Sequence, residues 1–188
     1  MALERSSVQR VLQEHSATLR TLQLAGSRRG KTAFVSLVAE AATRSREFAT
    51  LQSLGLASTA TSDADLAVLG SQPSCWSELR ELDISNNLSI THLGLDALLL
   101  GRASAGVTGD EKDSRIAGTT TTTTTSQGTR WRRLACLCMS SLGKVRSVAS
   151  IAEALPNLTS LNLSHCPNIS AASVNLVRAA RTEHGRWH

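Results

Sequence analysis

The apolar positions of this chain return in one short phrase, L-x-x-L-x-L, with small polar residues between them. It reads LRTLQL from Leu19, LQSLGL from Leu51, LRELDI from Leu79 and LTSLNL from Leu158. WRRLAC from Trp131 is a looser copy, in which Cys136 takes an aliphatic slot; a register three residues later, on Leu134, Leu137 and Met139, is the alternative there. Alternating apolar and polar residues over so few positions predict a strand with one buried face. Leu51 and Leu79 lie 28 residues apart, Trp131 and Leu158 27, and Leu19 and Leu51 32. Those spacings sit in or near the roughly 20 to 29 residues of a repeating strand-and-helix unit.

The second half of each unit agrees. An apolar residue follows three places after the ninth position: Ile90 after Asn87, Leu142 after Met139, Ile169 after Cys166. Thr91 and Ser170 then stand as helix N-caps, as does Ser62 or Asp63 in the second unit, because a short oxygen-bearing side chain can accept from the free N–H groups of a first turn. Apolar residues at helical spacing follow, on Leu95, Leu98 and Leu99, on Val145, Val148, Ile151 and Ala152, and on Val174, Val177 and Ala180. Residues 3–15 carry a similar stripe, Val8, Val11 and Leu12, and predict a helix that ends a preceding unit or caps the array. Neither a short strand nor its helix buries its apolar side alone, so neighbours must stack. The expectation is an α/β leucine-rich repeat solenoid, with short parallel strands on the concave face and helices on the convex one.

At this point the motifs carry a resemblance. LNLSHCPNIS followed by a helix is similar to L-x-L-x-x-C-x-x-I-T/S of the cysteine-containing leucine-rich repeats found in F-box proteins and in ribonuclease-inhibitor-like solenoids. The resemblance spans residues 19–177, apart from one insertion. It implies a protein-binding scaffold, and in the F-box version a substrate receptor of a ubiquitin ligase with cullin-type subunits among its partners; the ribonuclease-inhibitor version implies a clasp on an enzyme. No F-box precedes the repeats here, so the receptor reading expects an adaptor-binding domain upstream in a longer chain.

The insertion is residues 101–130, which contain seven consecutive threonines, Thr119 to Thr125, and almost no large apolar side chain. Such a segment buries too little to offset its ordering entropy and is expected to be a disordered loop. The chain then divides into residues 1–18, repeats one to three over 19–100, the insertion, repeats four and five over 131–182, and a tail at 183–188. Repeats three and four should stack directly across it.

Composition narrows the function classes. With 3% aromatic residues and no Tyr, the core must be built from Leu, Val, Ile and Ala. The net charge of +5 is scattered, and the basic clusters at residues 28–31 and 130–133 are not interleaved with stacking aromatics, so nucleic acid is not the expected partner. The first ten residues lack the apolar stretch of a secretory signal, and no apolar run spans a membrane. Cys75, Cys136, Cys138 and Cys166 are therefore expected as reduced thiols of a cytoplasmic or nuclear protein.

Three groups invite chemistry. AGSRRGKT, residues 25–32, matches a phosphate-binding loop with Ala in place of its first Gly, Lys31 reaching phosphates and Thr32 a magnesium ion. The strand before it is already explained as repeat one, and no strand-ending Asp supplies the magnesium partner, so a nucleotide-binding protein stands as the enzyme-class alternative. Cys138 and His165 share the eighth position of adjacent units in the Trp131 register, but two ligands fall short of a zinc site. No third residue orients His165 for catalysis. His15, His92, His184 and His188 form no constellation. The reading is a non-enzyme without cofactor or metal.

Function is expected on the strand face, in the columns between the leucines. In the Trp131 register these columns hold Arg80 beside Arg132, Glu81 beside Arg133, and Asp83, Asn162 and His165. Glu81 and Arg133 would pair, leaving Arg80 and Arg132 as anchors for a protein partner, since Arg is enriched at interface hot spots.

Overall fold

The computed structural model describes residues 51–101 and 131–182 throughout, and before them residues 9, 10, 12, 14, 15, 17–24, 26, 38, 48 and 50. Helix 33–42 apart from Val38, the Thr-rich insertion beyond residue 101 and the tail at 183–188 lie outside the described residues. So does the phosphate-loop-like segment apart from Gly26. In the helix expected over 3–15, the described residues 9, 10, 12, 14 and 15 are helical, with Leu12 buried.

Five strands of three residues each, β1 Thr21–Gln23, β2 Ser53–Gly55, β3 Glu81–Asp83, β4 Cys136–Cys138 and β5 Ser160–Asn162, form one parallel sheet in chain order. The central leucine of each strand pairs with that of the next, Leu22, Leu54, Leu82, Leu137 and Leu161. Helices α1 Asp63–Gly70, α2 His92–Leu100, α3 Ala149–Ala154 and α4 Ala171–Thr182 follow β2, β3, β4 and β5. Each packs on the next, and their apolar residues join the strand leucines in one core. Repeats three and four do stack directly: Glu81 pairs with Cys136 and Asp83 with Cys138.

The register of unit four is the later one. Leu134, Leu137 and Met139 are buried and take the slots held by Leu79, Leu82 and Ile84 in unit three. Backbone bonds repeat the assignment. The N–H at the sixth position always donates to the fifth carbonyl of the next unit: Leu24 to Gly55, Leu56 to Asp83, Ile84 to Cys138 and Met139 to Asn162. The eighth residue always has positive φ, at Gly26 (82°), Ser58 (58°), Asn86 (57°), Ser141 (60°) and His165 (59°). This left-handed turn swings the chain out of the strand. Four of the five positions accept it without glycine, at a modest steric cost.

Helix starts follow the expected chemistry in three units. Ser62 and Asp65 form a capping box at α1, and Thr91 Oγ1 accepts from Leu93 N–H at α2. Ser170 Oγ accepts from Ser173 N–H at α4. The Asp63 carboxylate then accepts from both the N–H (2.7 Å) and hydroxyl (2.6 Å) of Thr91, tying the two helix starts together. Helices α1 and α2 approach closely because a Cβ on Gly70 would lie 2.4 Å from the Ala97 carbonyl. The expected helix of unit four is shorter than its apolar stripe. Val145 and Val148 are fully buried from non-helical chain, and only Ala149–Ala154 is helical before Pro156 stops it.

Candidate strand-face site

Because side chains alternate along a strand, the third and fifth positions of every unit leave the core together. They place Thr21 and Gln23, Ser53 and Gly55, Glu81 and Asp83, Cys136 and Cys138, and Ser160 and Asn162 in two columns across the sheet. Most of these side chains are short. At Gly55 there is none, and the exposed Gln23 side chain lies across the space a Cβ would take. The result is a polar face of small groups with two carboxylates near its middle.

Glu81 is exposed. Asp83 is half-buried, and one of its oxygens accepts from Ser85 N–H at 2.9 Å. Asn162 repeats that device in unit five, its Oδ1 accepting from Ser164 N–H at 3.0 Å. The sulfur of Cys138 accepts from Ser85 Oγ at 3.1 Å and from Asn162 Nδ2 at 3.4 Å, so three neighbouring strands converge on it. Arg80 is exposed at the second position, and its carbonyl accepts from the N–H groups of Ala135 and Cys136.

The later register of unit four redraws the expected columns. Ala135, not Arg132, stands beside Arg80, and Cys136, not Arg133, stands beside Glu81. Arg132 and Arg133 are exposed in the turn before β4. Arg133 pairs with Glu78 rather than Glu81. Cys138 faces Asn162, while His165 shares the eighth position with Ser141, so the expected Cys138–His165 neighbourhood does not form. Cys136 is half-buried on the strand face instead of filling an aliphatic slot. One shift of three residues causes all of these corrections. Gly26, the described residue of the phosphate-loop-like segment, occupies the turn position common to all five units, and its N–H donates to Ala57 O at 3.1 Å.

Sequence reasoning missed the residue that joins the units most densely. Asn87, at the ninth position, is fully buried. Its Nδ2 donates to the carbonyls of Leu56 (2.8 Å), Ile84 (2.9 Å) and Ser85 (3.3 Å), and its Oδ1 accepts from the N–H groups of Thr59 (3.1 Å) and Thr61 (3.0 Å). Cys166 does part of the same work in unit five, its Sγ donating to Met139 O at 3.0 Å. In unit four the ninth residue is Leu142, which has nothing to donate. The Ile84 carbonyl it would have served is already taken by Asn87.

None of the four cysteines is joined in a disulfide. Among the described residues no group of three or more His, Cys, Asp or Glu side chains is placed to hold a metal ion, and no helix is long and apolar enough to cross a membrane.

Comparison with known proteins places the fold. No family model matches the chain, and no curated protein matches its sequence. Among solved structures, actin-binding site 2 of leiomodin-1 is similar to it, with a TM-score of 0.62 at 12% identity, over 97% of this chain and 93% of that one. At that identity the likeness shows a fold, a leucine-rich-repeat-like α/β sheet-and-helix layer.

Proposed function

We propose that this chain is a non-catalytic protein-interaction module, a repeat solenoid that takes up a protein partner on its strand face. The observation that carries the reading is the pair of columns running unbroken over five strands in one register, with inward leucines on one side and short polar side chains on the other. A continuous, shallow, hydrogen-bonding surface of that kind suits an extended macromolecular contact. Glu81, Asp83 and Asn162 are its most polar members and Arg80 stands beside them at the second position; Arg80, Glu81 and Asn162 are exposed, and the charged Arg80 and Glu81 are the proposed anchors. His165 flanks the same face at its far edge.

The likeness to an actin-binding domain supports a protein partner and makes actin the first probe. The finer readings, a ubiquitin-ligase substrate receptor with cullin-type subunits or a clasp on an enzyme, rest on the motif LNLSHCPNIS alone. They differ in what is recovered with the protein.

The test is affinity purification of the full chain with mass spectrometry, and direct titration with actin. The recovered partner is then titrated with an Arg80→Glu, Glu81→Arg double variant and with Arg132→Glu. The first should lose binding at least tenfold, and the second should retain it. Equal affinity for the double variant and the parent would rule the face out.

A further inference from the structure

Positions three and five are both polar in three of the five units, Thr and Gln, Glu and Asp, Ser and Asn, and Ser and Gly in a fourth. In β4 alone both are cysteine. Leu137 between them is 1% exposed, so Cys136 and Cys138 stand on the same, outward side of a central strand. Both are half-buried, unlike Cys75, which is inside the core. Filling the core does not explain two thiols at this spacing, because the strand face does not face the core.

We propose that Cys136 and Cys138 form a two-thiolate site for a soft monovalent metal ion of the Cu(I) class. Thiolate sulfur selects soft ions, whereas zinc asks for four ligands or three and a water. Among the described residues no third His, Cys, Asp or Glu is placed to complete a metal site with the pair, so zinc is poorly served and an ion content with two sulfurs is favoured. Residues two apart on a strand are separated by about 6.6 Å. Two metal–thiolate bonds of about 2.3 Å need sulfurs no more than about 4.6 Å apart, which rotation of both side chains toward each other supplies.

The surroundings suit a cation. Glu81 and Asp83 on β3 stand in register with Cys136 and Cys138, and adjacent strands are only about 4.8 Å apart, so two carboxylates flank the pair. Their field concentrates positive ions over this part of the face. Ser85 Oγ and Asn162 Nδ2 already donate to Cys138 Sγ, and both donors sit on rotatable side chains that follow the sulfur as it turns toward Cys136 and stabilise a metal-bound thiolate. Binding is balanced as two thiols and one Cu(I) giving one bis-thiolate complex and two protons, so affinity rises with pH.

The experiment titrates the reduced full chain with Cu(I) under anaerobic conditions, against a competing chromophoric Cu(I) chelator, with native mass spectrometry and proton release as parallel readouts. The expected result is one ion per monomer, with two protons released. Affinity should fall at least 100-fold in Cys136→Ser and in Cys138→Ser, and stay unchanged in Cys166→Ser. Circular dichroism of each variant separates lost binding from lost fold, and Asn162→Leu, which keeps both thiols, should weaken the site several-fold. The proposal is overturned if either Cys136→Ser or Cys138→Ser binds like the parent, if the chelator strips all copper, or if the ion is recovered only between two chains.

Discussion

Unit three and unit five are written in nearly the same letters, yet the structure holds them differently. In unit three Leu82, Ile84 and Ile90 are buried, with neighbouring units on both sides. In unit five the matching Leu161, Leu163 and Ile169 are only partly buried, because β5 has a paired strand on one side alone among the described residues. The ninth position repeats the contrast. Asn87 holds five backbone groups from two units, and Cys166 holds the Met139 carbonyl as its best partner. A leucine in this fold is worth what its neighbours make it worth, and a motif's letters do not tell the two situations apart.

Substitutions can break or sharpen that comparison. The largest effect belongs to Asn87→Ala. The Ile84 carbonyl and the Thr59 and Thr61 N–H groups lose their partner, while the Leu56 and Ser85 carbonyls still accept from Thr59 Oγ1 and Ser58 N–H. At about 1.5 kcal/mol for each orphaned group the loss is about 4.5 kcal/mol. Urea denaturation monitored by circular dichroism would measure it. Next comes the matched pair Leu82→Ala and Leu161→Ala. The interior leucine should cost about 3 kcal/mol and the half-buried one about 1 kcal/mol, since the cost follows the packing lost and the cavity left behind. Equal losses in the same denaturation series would erase the distinction between the units. Cys166→Ala removes one thiol-to-carbonyl bond and should cost about 1 kcal/mol, a shift of a few degrees in the thermal midpoint. The smallest effect is Arg133→Ala. Its ion pair with Glu78 is half-exposed, and such pairs contribute under about 1 kcal/mol, less at high salt. A thermal scan at low and high salt should show nearly coincident midpoints.

Much of this fold was legible because the phrase L-x-x-L-x-L states which side of a strand is wet. The caps at Ser62, Thr91 and Ser170 were legible for a similar local reason, a short oxygen-bearing side chain ahead of a helical stripe. Unit four was not, because Trp131, Leu134 and Leu137 stand three residues apart, so Trp131-Leu134-Cys136 and Leu134-Leu137-Met139 both approximate the phrase. What separates them is backbone: Ser141 shares the left-handed turn of Asn86 and His165, and serine gives little warning of it. That shift moved Arg132 and Arg133 off the columns and put Cys136 and Cys138 on them. The role of Asn87 was illegible for a different reason. Its partners are backbone carbonyls and N–H groups of its own and the preceding unit, which carry no side-chain signature.

The central claim is one ladder, in one register, through five units, with β5 unpaired on its outer side among the described residues. Amide hydrogen exchange at the sixth position tests it most directly. Leu56, Ile84 and Met139 donate to the next unit, while Leu163 has no such acceptor among the described residues. Strong protection at the first three amides and rapid exchange at Leu163 is the predicted result. Rapid exchange at Met139, or protection of Leu163 equal to that of Ile84, would contradict it.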